Sequence, residues 1–491
     1  MIRTAVEDPR LFIHGHSCCE IRSQNSALIC DPWLLGSAYW RSWWNFPPQT
    51  CIHSLIEEWS GLDSLFVYIT HLHWDHFHGP TLKLIAKHCK NVHFLLPLTP
   101  ETRLSKDLQG IARNKSIIEL VHGRPYQLTR DLGVLSFQSG PFFADSALYI
   151  NVSGIGILNA NDSKLRRFAL GDLLRKIDPP KFVLRSHSSA NYRACKRNLD
   201  GTSYDAQPDK PKEAYSSEFF EFCSAVGASF AIPFASNMAY LHRDTFAYNN
   251  GINSADLVVS YCDEKTLKFP LNPLLVLPGE SVNLKSSKVL QSEPSRLLMK
   301  KNRSQALREY ALSKSECLER QYLMEAKASL NLRIVENYFL KVINVCPIFL
   351  RWYLKDHISI HAKSENFSLF CLIDFARKSV CFSEYASVRR ANDVFFAIHP
   401  YVLNDVCLNR HFNSLGVSKR LEILAAPDNK RDAVFNYLCN TFEGEGVLLW
   451  SVFISRRFLG VWLKRWPELL DIFVFFASFA LNSTITCQRS K

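Results

Sequence analysis

Hydrophobic positions come in short dense runs early in the chain. Leu65-Phe66-Val67-Tyr68-Ile69 is a continuous apolar stretch of strand length, and Leu11-Phe12-Ile13 and Ala27-Leu28-Ile29-Cys30 precede it. Pro80-Thr81-Leu82-Lys83-Leu84-Ile85-Ala86-Lys87-His88 follows with helical spacing and a proline near its start. The segment from His187 to Ala214 is polar and aperiodic and reads as a long loop, either a binding element or a surface insertion. From about Ser286 to Lys327 the chain is rich in Ser, Lys, Arg and Glu. Leu297, Leu298, Leu307, Tyr310 and Ala311 stand there at near-helical spacing, which predicts a connecting helix. Beyond it Ile358–Ala362 and Phe367–Cys371 alternate as strands, and helical patterns run through Val394–Cys407 and Asp432–Cys439. The expected organisation is α/β, with a metal-binding domain over 1–285, a helical linker over 286–327 and a smaller α+β domain over 328–491.

The chemistry is concentrated directly after the first long apolar run. His71-Leu72-His73-Trp74-Asp75-His76 places four metal-capable side chains in six residues. Alternation beyond a strand aims His71 and His73 the same way, and Asp75 and His76 follow in a turn that can fold back toward them. Imidazole and carboxylate suit zinc above all, with iron or manganese as alternatives. Two such ions could bridge a hydroxide, with Asp75 holding or deprotonating the water. A polar loop with surface histidines is the bland alternative, and four convergent donors weigh against it.

This run resembles the His-x-His-x-Asp-His signature of the metallo-β-lactamase superfamily. Leu11-Phe12-Ile13-His14-Gly15-His16 and Ala27-Leu28-Ile29-Cys30-Asp31-Pro32-Trp33 are similar to that superfamily's opening. The resemblance implies an αββα sandwich, two mixed sheets face to face with helices outside and metals at one edge. Within the superfamily, Asp31-Pro32-Trp33-Leu34 with Trp43-Trp44 and Pro47-Pro48 looks like a segment of the CMP-N-acetylneuraminate hydroxylase family. Gly154-Ile155-Gly156-Ile157-Leu158-Asn159 leading to Asp162, Pro233-Phe234-Ala235 leading to His242, and Leu277-Pro278-Gly279 resemble it too, and similarity extends weakly to Cys371-Leu372-Ile373-Asp374-Phe375. The resemblance implies that Asp162 is a bridging carboxylate and His242 the last histidine, giving a metal set of His71, His73, Asp75, His76, Asp162 and His242.

Two features depart from the family pattern. The animal hydroxylases carry a Rieske iron–sulfur domain, whereas Cys18 and Cys19 here have no partners at ligand spacing. Electrons for an oxygenase would come from a separate redox partner. Ser139-Gly140-Pro141-Phe142-Phe143-Ala144-Asp145 lacks the histidine that the superfamily usually places there, so a donor could come from His187, His122, His16 or Asp145. His16 reads equally as a ligand or as a core histidine near the metals.

Composition changes the picture in a few places. The chain has 491 residues, 47% of them hydrophobic, enough for more than one packed core. The charge of +12 could suggest nucleic acid, but it forms no dense block and fits an anionic small molecule equally well, so nucleic acid is not the expected partner. Lys164 and Arg167, just past Asp162, are the first candidates to bind it; His187 and Arg193 come next, with Arg185 on the other side of His187. Trp33, Trp43 and Trp44 could wall the pocket, although core packing explains them equally. Fifteen scattered cysteines and a start without a continuous apolar stretch point to a cytoplasmic protein with reduced thiols. Ile472–Leu481 is too short to cross a membrane. The expected function is a dinuclear metal-dependent hydrolase acting on a phosphoester, lactone or amide through a metal-bridged hydroxide. The alternatives are a diiron oxygenase acting on a nucleotide sugar or related metabolite, and a non-catalytic binding protein.

Overall fold

The apolar runs pair into two sheets that bury one face against each other. The computed structural model describes residues 8–139, 145–188, 190, 192–202, 211–264, 271–385, 390, 392–445, 456–463 and 465–468. Residues 140–144, in the segment where the superfamily histidine is missing, and the apolar stretch 472–481 lie outside them. The first sheet runs Val289–Leu290, Glu280–Asn283, Arg10–Ile13, Cys19–Ser23, Ser26–Cys30, Ser64–Tyr68, Val92–Pro97, Ser116–Leu120. The second runs Asn272–Pro273, Phe230–Pro233, Phe182–Arg185, Ile155–Asn161, Asp145–Val152, Leu132–Ser139, Pro125–Thr129. Both sheets mix parallel and antiparallel pairs.

Strand alternation sorts the layers. Leu28, Phe66 and Tyr68 point inward and meet Val134, Leu148, Ile157 and Leu184 of the facing sheet. Ala27, Ile29 and Val67 point outward and are covered by Leu55 and Trp59 of helix Ile52–Ser60 and by Leu82 and Ile85 of helix Gly79–His88. On the far side Leu158, Val183 and Ala231 are covered by Leu173, Phe219 and Val258 from helices Arg167–Lys176, Lys212–Ala225 and Ala255–Glu264. With both faces of their central strands buried, the runs read as continuous apolar segments rather than alternating ones. The result is the αββα sandwich.

The 286–327 stretch holds the edge strand Val289–Leu290 and then three helices, Glu293–Lys300, Arg303–Ser313 and Ser315–Ala326. They do more than connect: Ala306, Leu307 and Leu318 pack on Trp44, Phe46 and Leu241 of the sandwich. The third sheet runs Lys196–Arg197, Leu421–Ala425, Val394–Ile398, Ile358–Ser364, Phe367–Asp374, Ser379–Ser383. Val394–Ile398 is therefore a strand, and the helix starts only at Pro400. Val-Phe-Phe-Ala-Ile is too short for periodicity to separate the two, and its central position in the sheet decides for strand. The polar loop after His187 likewise contributes Lys196–Arg197 to this sheet, paired parallel with Leu421–Ala425.

One apolar cluster joins the parts, since Trp33, Tyr39, Trp43 and Tyr240 are contiguous with Phe339, Ile360, Phe396 and Leu415. The Trp40 indole N–H donates to Asp405 at 2.7 Å, and the Trp43 indole N–H to the Val417 carbonyl at 3.2 Å. Among the described residues every cysteine is unbridged, and no helix is long and apolar enough to cross a membrane.

Candidate metal centre

Strand ends deliver the site to one edge of the sandwich. Ser64–Tyr68 leads into the histidine run, Ser26–Cys30 into Asp31, Ile155–Asn161 into Asp162, and Phe182–Arg185 into Ser186 and His187. Each strand is anchored by two buried faces, so the residues just beyond its end inherit a fixed position. Asp31 (φ 47°) and Asn161 (φ 48°) adopt left-handed backbone, and the pairing of Ile155–Asn161 with Phe182–Arg185 is irregular between Asn159 and Asn161. Asparagine and aspartate tolerate that conformation better than most residues, and the irregularity re-aims the side chains that follow.

Donor atoms of His16, Asp75 and His76 lie within 4.8 Å of one another, as do those of His71, His76 and Asp162. His76 belongs to both groups: its Nε2 is 3.2 Å from Asp75 Oδ2 and 3.4 Å from Asp162 Oδ2. His16 Nε2 is 3.2 Å from the same Asp75 oxygen. His73 joins through its Nδ1, 2.9 Å from His71 Nε2, while His71 Nδ1 lies 3.2 Å from Asp145 Oδ1. The sequence-based set is thus gathered for His71, His73, Asp75, His76 and Asp162, with His16 and Asp145 added. Gly15 permits the approach of His16, because a Cβ there would stand 2.7 Å from Asn45 Oδ1 and 3.3 Å from the Trp33 carbonyl.

Behind these groups Asp31 acts as a brace. Its Oδ1 accepts the Thr70 N–H at 2.8 Å, and its Oδ2 accepts the Thr70 hydroxyl at 2.8 Å, the Asn161 amide at 2.5 Å and His76 Nδ1 at 3.0 Å. A carboxylate only accepts, so a His76 proton sits on Nδ1, and Nε2 is the nitrogen turned toward Asp75 and Asp162. Asp75 is held from its other side by the Tyr39 hydroxyl, 2.5 Å from Oδ1, and its carbonyl accepts the Ser17 hydroxyl at 2.7 Å.

The electrostatics fit a cation. Burial opposes ionisation of Asp75, yet His76 and His16 beside it hold its carboxyl well below the usual carboxylate range. Burial also opposes ionisation of Asp162, which His76 nonetheless holds below its ordinary value. Burial opposes a charge on His76 in turn, and Asp75 and Asp31 outweigh it, raising its pKa well above normal. Burial, reinforced by His71, pushes His73 down to about 3, so its imidazole is neutral and available as a donor. Among the described residues, His76 Nε2 and His16 Nδ1 are buried without a hydrogen-bond partner. Three carboxylates, four imidazoles and unspent buried nitrogens suit divalent ions with nitrogen and oxygen ligands.

The cluster opens on a cavity of about 350 Å³. Lys164 lines it, with Trp43, Ser186, Ser188, Ser236 and, from the third-sheet unit, Val417. Arg167 and Arg193 are exposed and do not line it. His187 does not line the cavity: it is buried between Ser186 and Ser188, which do, its N–H given to Ser236 Oγ and its carbonyl accepting the Asn253 amide.

His242 is not brought to the cluster, contrary to the expected ligand set. Its Nδ1 accepts the Asp244 N–H at 3.2 Å and its Nε2 faces Glu325 at 3.2 Å, with Arg420 completing the group at 2.8 Å from Glu325. Donor atoms of His242, Asp244 and Glu325 lie within 4.8 Å of one another, a third group separate from the two around His76, and His242 does not line the cavity. His122 is likewise engaged elsewhere, 3.1 Å from Asp172. Sequence reasoning missed the supporting roles of Thr70, Tyr39 and Asn161. A polar residue placed immediately before His71 or Asp162 was the available signal for two of them.

No protein-family profile matches the chain. It is 25% identical over 281 residues to a protein of Mycobacterium tuberculosis described as a Rieske 2Fe-2S iron–sulfur protein, covering 55% of this chain and 52% of that one. The cytidine monophosphate-N-acetylneuraminic acid hydroxylase of Asterias rubens is 38% identical over 86 residues, 17% of this chain and 12% of that one. The chain thus spans about half the length of the first of these relatives and a smaller share of the second. Among solved structures, a metallo hydrolase from Ignicoccus hospitalis aligns with TM-score 0.38 at 15% identity over 58% of this chain and 99% of that one. The diiron β-hydroxylase CmlA from Streptomyces venezuelae aligns with TM-score 0.38 at 15% identity, over 59% and 55%. With two facing mixed sheets, helices on both outer faces and the His71–His76 run at the sandwich edge, the first part of this chain has the metallo-β-lactamase fold.

Proposed function

We propose that this chain is a dinuclear metal-dependent hydrolase acting on an anionic small molecule such as a phosphoester, lactone or amide. The observation that carries the reading is the placement of His76. Its Nδ1 is tied to Asp31, and its Nε2 stands 3.2 and 3.4 Å from carboxylate oxygens of Asp75 and Asp162, between two groups of donors. His16, Asp75 and His76 would hold one ion, and His71, His73 and Asp162 the other, with Asp145 orienting His71. Divalent ions bound there, zinc foremost with iron or manganese as alternatives, supply Lewis acidity and lower the pKa of water.

The chain's own residues do the rest. His76 and His16 hold the Asp75 carboxyl well below the usual carboxylate range, so it stays ionised and would hold and orient the attacking water. Lys164 in the cavity wall offsets the substrate's negative charge, and Trp43 closes one side to water. Arg167 and Arg193, both exposed, would act only on approach of the substrate, through the long-range field.

A second reading, a diiron oxygenase supplied with electrons by a separate partner, is favoured by the sequence likeness to a Rieske-type protein and to a nucleotide-sugar hydroxylase. Elemental analysis of protein purified without added metal, with an absorption spectrum and an oxygen-electrode trace on the same sample, tests both. Two zinc or manganese ions per chain with turnover of a phosphoester, lactone or amide supports hydrolysis. Two irons with dioxygen consumption would replace it by the oxygenase reading. Fewer than two ions per chain would remove the dinuclear centre.

A further inference from the structure

One hydroxyl in the cavity wall has its lone pairs committed and its proton free. Ser236 Oγ accepts two backbone N–H groups, from His187 and from Ser188, each at 3.2 Å. A serine oxygen offers two lone pairs and one proton, so this hydroxyl can take part in further bonding only as a donor. Among the described residues its proton has no acceptor, although the side chain is largely buried and lines the cavity that holds His71, Asp75 and Asp162. A buried hydroxyl left in that state costs free energy unless a ligand or water accepts from it.

The local backbone keeps it aimed. Ala235 is left-handed at φ 51°, a conformation that costs a non-glycine residue energy and survives where its surroundings enforce it. On either side, the Phe234 N–H is bonded to the Arg185 carbonyl at 2.8 Å and the Met238 N–H to the Ser236 carbonyl at 3.0 Å. Ser188, which also lines the cavity, accepts the Asn253 N–H on its own hydroxyl at 3.3 Å. Two neighbouring hydroxyls on one wall are therefore both acceptors toward the protein. Lys164, another lining residue, adds a positive charge.

We infer that Ser236 donates a hydrogen bond to an anionic oxygen of the substrate, of phosphate or carboxylate type, and with Lys164 and Ser188 forms the anion-binding wall of the cavity. This rests on the anionic-substrate reading above and adds to it the residue that recognises the anion. Ser236 is a binding residue here and not a nucleophile: among the described residues no base lies within hydrogen-bond distance of its oxygen, which is occupied by backbone donors.

The experiment is a calorimetric titration of the metal-loaded full chain with inorganic phosphate, with metal content and melting temperature measured on the same samples. Ser236→Ala is expected to weaken phosphate binding about tenfold, the scale of a hydrogen bond to a charged group, with ion content unchanged. Ser236→Thr, which keeps the hydroxyl, is expected to bind within about threefold of the unaltered chain. Equal affinity for Ser236→Ala and the unaltered chain would overturn the inference, as would a Ser236→Thr that binds no better than Ser236→Ala. A change in melting temperature and ion content without a change in affinity would assign Ser236 to loop support and also overturn it. Loss of the metal reading shows separately, as fewer than two ions per chain.

Discussion

The Tyr39 hydroxyl lies 2.5 Å from Asp75 Oδ1, both groups buried, while the other oxygen of Asp75 faces His16 and His76. Tyr39, Trp40 and Arg41 are consecutive left-handed residues at φ 54°, 54° and 63°, and that strained turn carries the phenol into the site. Burial and the nearby Asp75 charge push the Tyr39 pKa well up, so the phenol keeps its proton and remains a donor. Tyr39→Phe removes a hydrogen bond to a buried carboxylate, an effect of about 1.5–3 kcal/mol. It is expected to loosen Asp75 and release metal to a competing chelator at least tenfold more readily, with little change in secondary structure. Unaltered release would show that Tyr39 does not orient Asp75.

His73→Ala is expected to empty at least one metal position and leave the protein folded, since the sandwich cores lie away from this half-buried ring. His16→Ala should lower the occupancy of the group formed with Asp75 and His76. Ions counted per chain by mass spectrometry under native conditions decide the matter. Two ions retained in either variant would remove that residue from the ligand set.

His242→Ala should behave in the opposite manner. It deletes one member of a buried network with Glu325 and Arg420, leaving their charges less well compensated, and should cost roughly 2–4 kcal/mol in thermal or urea unfolding. Ion content should remain that of the unaltered chain. Loss of an ion on this substitution would return His242 to the metal site.

A pH dependence is expected from Glu443. It is fully buried, with Oε1 accepting from the Tyr338 hydroxyl at 2.8 Å and the Phe412 N–H at 2.5 Å, and burial pushes its pKa up to about 7 from the ordinary 4.5. The folded chain thus binds this proton more tightly than the unfolded chain. Stability from this group is complete below pH 4.5, falls as pH rises toward 7, and is constant above, a span of roughly 3 kcal/mol. Glu443→Gln keeps an acceptor for both donors and should flatten that part of the melting-temperature profile between pH 5 and 8. Identical slopes in the two proteins would show that Glu443 ionises normally.

Local pattern was enough for a good part of the molecule. Leu65–Ile69, Ala27–Cys30 and Leu11–Ile13 read as strands, and the His71–His76 run announced itself, because a strand with both faces buried must be apolar throughout and donors placed just past its end have one direction to go. Asp162 was legible only through resemblance, since a single aspartate after a strand carries no spacing signal. Val394–Ile398 was misread because five apolar residues fit a helix or a strand equally well until neighbouring strands claim their hydrogen bonds.

Position in space decided the rest. His16 and Asp75 are 59 positions apart and Tyr39 and Asp75 36, and no periodicity relates them. They meet because Gly15 leaves room for a close approach and a left-handed turn swings the phenol inward. His242 looks like a ligand of the cavity cluster as a letter in the chain, yet the fold sets it beside Asp244 and Glu325 instead. Val417 joins the cavity because the indole groups of Trp40 and Trp43 bond to the third-sheet unit. Sequence fixes which donors exist and which strands carry them, through local sterics and burial pattern. Which donors share an ion, and which are spent on one another, depends on long-range contacts that only the folded chain creates.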